Sequence, residues 1–410
     1  MNILIIYPYL PHGKTYHGSA IRVQNYLKYL SCKNKIFLAC FADRKNRELI
    51  DDLKQHCEKI VYANPPKKLN YFNRIYGFLF SRSPNFIRHF YSEELIDKIN
   101  ALIAESPIDI IHIDLILLAG YLNLIKFNSE IKTVLNIDEV ISKTLILKGK
   151  RLRLLMKLIT YFQYLKIRNY ELNMCRRVNK ILTVTSDEKE YLKFFDNSLN
   201  ISVIPNGLDT SFYQFDCDKE LENIPDIDIL YLGNYQHYPN IEAVLYFHKY
   251  IFPLVKNVRS EIIFGIIGAN VSEEVNKLAV EPSVKIIGQV KDVRPFIKKS
   301  KVFICPVISG GGMRGKVLEA MALGVPIVST RLGVSGISVR NKVHLLVEDK
   351  PEKFADRIIE ILNGKSKRIQ EMTIASRKVV EEKYFWQIVC KMLEDEYKKL
   401  TEKDGHRINK

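Results

Sequence analysis

Short apolar segments alternate with segments of helical periodicity along most of this chain of 410 residues. Runs of strand length begin at Ile3, Lys35 and Lys59, and helical patterns fill the intervals, from about 21 to 30 and from about 46 to 56. Strands and helices that alternate at this spacing are typical of a parallel sheet covered by helices on both faces. The sequence therefore predicts an α/β fold of the doubly wound kind.

The alternation pauses near residue 205 and then starts again, which indicates two domains. The stretch ISVIPNGLD at 201–209 ends a strand in Pro-Asn-Gly, and Asn and Gly tolerate the positive φ angles of a tight turn. A new apolar run begins at Asp228. The chain is long enough for two separate cores. We expect residues 1–205 to form the first domain and residues 206–384 the second.

The strongest binding signal is SGGGMRGKVLEAMALGVPIVST at 309–330, a glycine loop that leads into a helix. Glycine lets backbone approach a ligand closely, and the first N–H groups of a helix attract anions. Arg314 and Lys316 add two charged donors for phosphate oxygens, and Glu319 can accept from sugar hydroxyls. The pattern predicts a site for a phosphate-bearing ligand. The alternative is an ordinary loop with a surface ion pair between Lys316 and Glu319.

Polar residues at predicted strand ends suggest a second site in the first half. Parallel sheets bind ligands at the carboxyl ends of their strands. We expect His112 to end the strand Asp109-Ile-Ile-His112, and Asp138 to stand at the tip of the next strand. In the loop after the first strand, Ser19 can also act as a helix N-cap. For His112 and Asp138 the alternatives are a structural histidine and a helix-capping carboxylate.

The charge is concentrated in the first half, where residues 1–205 hold 31 Lys and Arg against 19 Asp and Glu. This excess indicates an anionic partner: a membrane surface, a lipid-phosphate acceptor or nucleic acid. Residues 148–180 combine leucines at helical spacing with many cations, which predicts either a basic amphipathic helix on an anionic bilayer or a core helix with a solvated basic face. Tyr71 to Phe80, flanked by Arg74 and Arg82, is a second aromatic and basic segment.

Several classes of protein are disfavoured. No apolar run reaches the roughly 18 residues of a transmembrane helix, and the N-terminus lacks the cationic start of a signal peptide. Seven scattered cysteines indicate reduced thiols in the cytoplasm and no zinc site. The Asp226-Ile-Asp228 sequence precedes a strand, so we interpret it as a solvated turn and expect no metal or other cofactor. No G-x-G-x-x-G follows the first strand, which disfavours a nicotinamide-dependent enzyme. No RNA-binding signature supports a nucleic-acid partner.

The stretches at 309–330 and 201–209 resemble signatures of the retaining GT-B glycosyltransferases of family four, often described as glycosyl transferases group 1. That family usually carries Glu, seven residues and Glu in a segment ending LEAMA-x-G-x-P-V. Here the second Glu is Glu319 and the first position is Gly311, as in a subgroup whose loop reads G-x-R-x-K before LEA. The resemblance implies two Rossmann-like domains that face each other across a cleft, with a C-terminal helix at 385–405 joining the first domain.

The resemblance also implies roles for individual residues. The second domain would bind a nucleotide-diphosphate sugar, and the first would bind a glycan or lipid-linked acceptor. A contact with the inner face of an anionic membrane would be peripheral. Donor binding would involve the backbone near Val290 and the segments that contain Gly18, Ser19, Gly233, Asn234, Gly311, Gly312, Met313 and Glu319. The catalytic residues would be His112, Asp138, Arg314 and Lys316.

The resulting hypothesis is metal-independent hexosyl transfer with retention, in bacterial surface polysaccharide or glycolipid synthesis. A nucleotide-sugar epimerase or a phosphorylase would use the same phosphate site. A non-enzymatic nucleic-acid or membrane binder is the second alternative. The sequence does not distinguish the donor sugar, the base, the acceptor or the oligomeric state.

Overall fold

The computed structural model describes residues 1–13, 18–66, 84–149, 154–213, 224–364 and 367–405. The chain divides into two compact units: unit 1 comprises Met1–Asn206 with Trp386–Lys410, and unit 2 comprises Gly207–Phe385. The aromatic and basic segment from Tyr71 to Phe80, with Arg74 and Arg82, lies outside the described residues. So does the basic stretch 150–153.

Unit 1 is built on a seven-stranded parallel sheet in the order β3-β2-β1-β4-β5-β6-β7. The strands are β1 (Asn2–Tyr7), β2 (Lys35–Phe41), β3 (Lys59–Ala63), β4 (Ile110–Asp114), β5 (Lys132–Ile137), β6 (Lys180–Thr183) and β7 (Ile201–Val203). The helices of its first segment are α1 (Gly18–Leu30), α2 (Arg47–Lys54), α3 (Asn85–His89), α4 (Glu93–Glu105), α5 (Ile141–Gly149), α6 (Leu154–Cys175) and α7 (Ser186–Phe195).

Strand β1 shows why the apolar runs become central strands. Leu4 and Ile6 point to one face of the sheet and join a core that includes α4, whereas Ile3, Ile5 and Tyr7 point to the other face and join a core that includes α1. A strand that is buried on both faces has no polar positions to alternate with apolar ones. This burial explains the unbroken sequence ILIIY.

Unit 2 has a six-stranded parallel sheet in the order β10-β9-β8-β11-β12-β13. Its strands are β8 (Ile229–Leu232), β9 (Phe264–Ile267), β10 (Val284–Gly288), β11 (Val302–Cys305), β12 (Ile327–Ser329) and β13 (Leu346–Val347). Its helices are α8 (Tyr238–Tyr250), α9 (Phe252–Lys256), α10 (Glu273–Asn276), α11 (Arg294–Lys299), α12 (Gly315–Ala322), α13 (Pro351–Leu362) and α14 (Lys367–Lys383).

The last helix, α15 (Trp386–Gly405), belongs to unit 1. Helices α14 and α15 follow each other closely, and the break between them falls at Tyr384 and Phe385. Leu208, near the start of unit 2, pairs with this break by a bridge to Phe385 and a 2.6 Å hydrogen bond to the Tyr384 carbonyl. This backbone pairing interrupts the helical hydrogen bonds and separates α14 from α15.

Both sheets confirm the prediction of doubly wound α/β architecture. In each sheet the strand order reverses beside the first strand, between β1 and β4 in unit 1 and between β8 and β11 in unit 2. Crossover helices leave a crevice outside the carboxyl ends of the strands at such a reversal, and ligands of open α/β sheets bind there. The topology alone therefore marks one candidate position in each unit.

Candidate functional site

In unit 2 the reversal point is formed by the segments that leave β8 and β11. Gly233 and Asn234 directly follow β8, and the glycine loop (306–314) connects β11 to α12. Helix α12 ends in a hydrogen-bonded turn at Gly324, whose φ is 69°, as the sequence predicts. The predicted glycine loop and helix thus lie at the strand-order reversal, where open α/β sheets bind ligands.

The glycine loop has a backbone conformation that only glycine adopts without strain. Gly310 has a φ of 90° and Gly312 a φ of 71°. A Cβ on Gly310 would also lie 3.1 Å from Cγ of Pro239, in the first turn of α8. The glycines therefore let the loop curve tightly beside the N-terminus of α8.

The Arg314 side chain holds this loop by hydrogen bonds to the loop's own backbone. Its Nη1 donates to the carbonyls of Gly311 (2.9 Å) and Gly312, and its Nη2 donates to the carbonyls of Ser309 (3.3 Å) and Gly310 (3.0 Å). A guanidinium that holds four successive carbonyls fixes the loop's curvature. Direct contact between Arg314 and a phosphate stays a prediction.

Lys316 connects the start of α12 to the end of β8. Its Nζ donates to Asn240 Oδ1 (2.7 Å) and to the Tyr231 hydroxyl (3.1 Å), and it lies 4.3 Å from the centre of the Tyr231 ring. Burial lowers the pKa of Lys316 to about 8, and the charge of Arg314 adds to the effect. An ammonium with two acceptors has a third N–H to offer. The geometry suits an anion that binds beside the glycine loop.

Glu319 does not pair with Lys316, contrary to the surface ion-pair alternative. Its carboxylate is hydrogen-bonded to Tyr213, and burial raises the pKa of Glu319. Tyr213 is supported in turn by Arg294, which stacks 3.8 Å from the ring centre of Phe212 and donates to the Phe212 carbonyl at 2.6 Å. Arg294 is itself held by Asp292 at 2.6 Å. Glu319 is therefore a positioned, half-buried acceptor.

The remaining predicted donor-binding residues of unit 2 occupy the same edge of the sheet. The Asn234 side chain accepts hydrogen bonds from the Gln236 amide (3.1 Å) and from Asn270 (3.2 Å), so it organises the turn after β8. Val290, after β10, and Met313, in the glycine loop, are both half-buried and pack against the unit 2 core. These positions fit a ligand site, and their contact with a donor stays a prediction.

The reversal point of unit 1 carries different chemistry. Arg22 of α1 is buried and forms ion pairs with Asp114 (2.6 Å), at the end of β4, and with Asp138, after β5. Its Nη1 also donates to Asn206 at 3.2 Å. Asp114 is buried, whereas the Asp138 side chain is 27% exposed. One guanidinium therefore holds two carboxylates at the sheet edge.

The two carboxyl groups titrate in opposite directions. Burial would raise the pKa of Asp114, but the charge of Arg22 and the contact with His112 outweigh it, and the net pKa is lowered. Burial raises the pKa of Asp138, and the neighbouring Asp114 charge raises it further. Two like charges that share one cation favour this division, with one group ionised and its neighbour protonated more easily.

His112 does not end its strand, which corrects the sequence-based expectation. β4 continues to Asp114, and the His112 ring lies completely buried with Nδ1 bonded to the Tyr397 hydroxyl of α15 and Nε2 3.5 Å from Asp114. The apolar residue Ile113 and the polar Asp114 both extend the parallel ladder. The polar residue at the strand end is thus Asp114, and His112 supports it from within.

Gly18 and Ser19 open α1, so Ser19 lies inside the first turn and is not its N-cap. The Ser19 hydroxyl is hydrogen-bonded to the Tyr7 hydroxyl at 2.8 Å, at the end of β1. A Cβ at Gly18 would meet no atom within 4 Å. The small-residue turn therefore stands beside the reversal point of unit 1, and its role in donor binding stays a prediction.

Sequence reasoning missed five side chains that build these sites: Arg22, Asp114, Tyr213, Tyr231 and Asn240. Arg22 had a usable signal, because it is a lone cation among the buried positions of α1. Asn240 lies in the first turn of α8, directly after Tyr238 and Pro239. The two tyrosines carried no local signal, since each reaches Lys316 or Glu319 from a distant part of the chain.

Comparison with known families places this site in context. Residues 226–364 match the family described as Glycosyl transferases group 1. The matched segment runs from before β8 to the end of α13 and contains the glycine loop, Lys316 and Glu319. It covers most of unit 2.

Solved structures share the fold over nearly the whole chain. A glycosyltransferase from Rickettsia africae is 14% identical with a TM-score of 0.67, and covers 97% of this chain and 98% of its own. Sucrose-phosphate synthase from Thermosynechococcus elongatus is 14% identical with a TM-score of 0.70, over 98% and 99%. Anabaena Alr3699/HepE, solved with UDP and also with UDP-glucose, is 12% identical with a TM-score of 0.67, over 96% and 99%. The chain has the GT-B fold of two Rossmann-like units.

One curated relative matches more locally. An uncharacterized 44.6 kDa protein in the cps region of Klebsiella pneumoniae is 22% identical in an alignment of 253 residues that covers 50% of this chain and 65% of the relative. The match thus spans less than two thirds of the relative's length.

Proposed function

We propose that this chain is a glycosyltransferase that moves a sugar from a nucleotide-diphosphate donor to a glycan or lipid-linked acceptor. One observation carries the proposal: the segment that matches group 1 glycosyl transferases places a glycine loop, Arg314 and Lys316 at the strand-order reversal of unit 2. The UDP complexes of Anabaena Alr3699/HepE support a nucleotide sugar as the donor.

The donor site would work by stabilising the departing diphosphate. The bond between the anomeric carbon and the β-phosphate oxygen breaks, the acceptor hydroxyl oxygen bonds to that carbon, and the hydroxyl proton passes to the departing diphosphate. The Lys316 ammonium and the backbone amides of 311–313 would meet the developing negative charge, which a preorganised site stabilises most. Arg314 would keep those amides in place and add its own charge. Glu319 would accept from the ribose hydroxyls.

Retention would follow if the acceptor attacks from the face that the diphosphate leaves. The diphosphate then receives the proton itself, so the reaction needs no carboxylate base on the opposite face. Asp138, half-exposed with a raised pKa, would bind the acceptor hydroxyl in unit 1. We assign the pathway to bacterial surface polysaccharide or glycolipid synthesis, in keeping with the relative from a cps region.

The transfer would require no metal ion, because Arg314, Lys316 and the helix N-terminus already supply positive charge for the diphosphate. The cysteines of the described residues are free thiols, as in a reducing compartment, and we place the reaction in the cytoplasm. Activity that survives a chelator would support both the metal-free mechanism and the charge assignment.

The direct test is a panel of nucleotide sugars. A true donor stabilises the folded chain by about 2.7 kcal/mol at a hundredfold excess over its Kd, which a thermal melt detects. Selected donors are then incubated with and without acceptors, and the anomeric configuration of the product is read by NMR. We expect transfer only when acceptor is present, with retained configuration. Conversion of the donor without acceptor would instead indicate an epimerase, and stabilisation by no nucleotide would refute the proposal.

A further inference from the structure

Helix α6 has two halves with opposite surroundings. From Tyr164 onward its buried side chains, among them Ile167, Leu172 and Cys175, recur at helical spacing and anchor it to unit 1. The first nine residues, LLMKLITYF from Leu154 to Phe162, are all exposed except Thr160. Leu154 is 77% exposed, Leu155 70% and Phe162 68%. The helix therefore begins with a run of uncovered large apolar side chains.

These side chains point in nearly every direction around the helix axis. Consecutive residues of an α-helix are about 100° apart, so nine of them circle the axis more than twice. The one buried member, Thr160, faces Gly149 at the end of α5, where an added Cβ would lie 3.2 Å from Thr160 Cγ2. An element exposed on almost all sides is the free tip of a helical hairpin and is not a solvated outer face.

The stretch of sequence that contains this tip carries charge of one sign. Residues 140–170 contain eight Lys and Arg and no Asp or Glu. Lys157 is exposed within the apolar run, and Lys166 is half-buried further along α6. Contiguous exposed apolar surface marks an interaction site, and cations that flank it select an anionic partner.

We propose that the first turns of α6 (Leu154–Phe162) insert into the interface of an anionic lipid bilayer. The aliphatic and aromatic side chains would enter the acyl boundary, the Tyr161 hydroxyl would stay among the headgroups, and the flanking cations would bind lipid phosphates. None of the described helices is long and apolar enough to cross a membrane. An anionic bilayer explains the charge and the all-round exposure together, whereas a second copy of this basic unit would bring like charges together.

Vesicle sedimentation tests this inference with the full chain and no nucleotide sugar, so its outcome does not depend on the proposed transfer. We expect binding to vesicles of mixed phosphatidylglycerol and phosphatidylcholine, weaker binding at high salt, and little binding to phosphatidylcholine alone. The triple variant Leu154→Gln, Leu155→Gln, Phe162→Gln should lose about tenfold or more in partitioning, because each exposed side chain loses its transfer into lipid. Lys157→Gln alone should cost about fivefold.

A matched variant removes three exposed apolar side chains elsewhere: Phe194→Gln, Val280→Gln and Ile374→Gln. It should bind vesicles like the unmodified chain. Thermal melts of both triple variants should match the unmodified chain, since no buried residue changes. The proposal is wrong if the α6 variant keeps its vesicle binding, or if both triple variants lose it equally. It is also wrong if the α6 variant alters only self-association in analytical ultracentrifugation, which would assign the tip to a second copy.

Discussion

The two units share a strand order but not the chemistry at its reversal. In unit 1 the crevice beside β1 holds one buried cation, Arg22, between the carboxylates Asp114 and Asp138. In unit 2 the crevice beside β8 holds the glycine loop, with Arg314 and Lys316 as its cations. The common topology fixes where each crevice lies, and the residues after the strands decide what it can bind. The shared topology therefore does not give the two units the same function.

The difference extends to what each cation does. Both Nη atoms of Arg22 bond to carboxylates of its own unit, so its charge is compensated and it holds Asp138 in place. Lys316 has neutral hydrogen-bond partners, an amide oxygen and a hydroxyl, and burial lowers its pKa to about 8. A buried ammonium whose hydrogen-bond partners are neutral gains more from an incoming anion than a paired guanidinium does.

The largest expected effect is loss of stability in Arg22→Met. Removing one partner of a buried ion pair leaves an uncompensated carboxylate and costs about 3–5 kcal/mol. Lys28→Met, at an exposed position on the same helix, should cost almost nothing. Chemical denaturation measures both. Adding Asp114→Asn to Arg22→Met should restore part of the loss, and equal stability of the two single variants would contradict the buried pairing.

Arg314→Ala should reduce turnover by about 10²–10³ while the fold stays intact, the scale known for removal of one preorganised donor. The variant also releases the carbonyls of the glycine loop, so Arg314→Lys should not rescue it fully. Arg331→Ala, an exposed arginine of the same unit paired with Asp349, is the control. Steady-state kinetics with a confirmed donor measure this effect. If the turnover of Arg314→Ala stays within a few-fold of that of the unmodified chain, Arg314 has no role in the mechanism.

Lys316→Met should weaken nucleotide-diphosphate binding by about 10- to 100-fold, as expected for a lost hydrogen bond to a charged group. In the unmodified chain, affinity should fall as the pH rises through about 8, by up to about tenfold per pH unit, because the ammonium loses its proton. Calorimetry across this range measures both effects. A pH dependence that survives in Lys316→Met would have to come from another group.

The lowered pKa of Lys316 predicts that stability changes with pH in the opposite direction to nucleotide affinity. Between about pH 8 and the ordinary lysine value of 10.5, the unfolded chain binds a proton that the folded chain has released. The contribution of Lys316 to the free energy of unfolding should therefore rise with pH over this window. Denaturation of Lys316→Met should lack that rise.

Glu319→Ala should have the smallest of these effects, about tenfold weaker nucleotide binding with little change in turnover, since ribose contacts act equally in the ground and transition states. Tyr213→Phe should cost about 1 kcal/mol of stability by removing the hydroxyl that bonds Glu319. Glu352→Ala, at an exposed position on α13, is the matched control. A large fall in turnover with unchanged binding would assign Glu319 to the chemical step instead.

The sequence predicted the fold well because the relevant signals are local. Buried runs such as ILIIY mark central strands, and Gly324 marks the end of α12 by its positive φ. The end of β4 was misplaced because Ile113 and Asp114 extend the ladder beyond the first polar residue, His112. Periodicity cannot distinguish a buried polar side chain from an exposed one at a strand end.

The candidate sites were predictable only in part. The glycine loop could be predicted from its three consecutive glycines and from Arg314. Tyr213 could not be found in this way, because it meets Glu319 across more than a hundred residues and is positioned by Arg294 and Phe212. Arg22 carried only the signal of a lone cation among the buried positions of α1, and its two carboxylate partners come from distant parts of the chain.

The membership of α15 in unit 1 has a consequence for biosynthesis. Trp386 and Tyr397 complete the core against β1 and α1, and the Tyr397 hydroxyl meets His112. Unit 2 is contiguous in sequence, so all of it is translated before this helix, which unit 1 still lacks at that point. The half that is translated first is thus the half that finishes folding last, and a nascent chain halted before Trp386 would leave Ile3 and Ile5 without part of their covering layer.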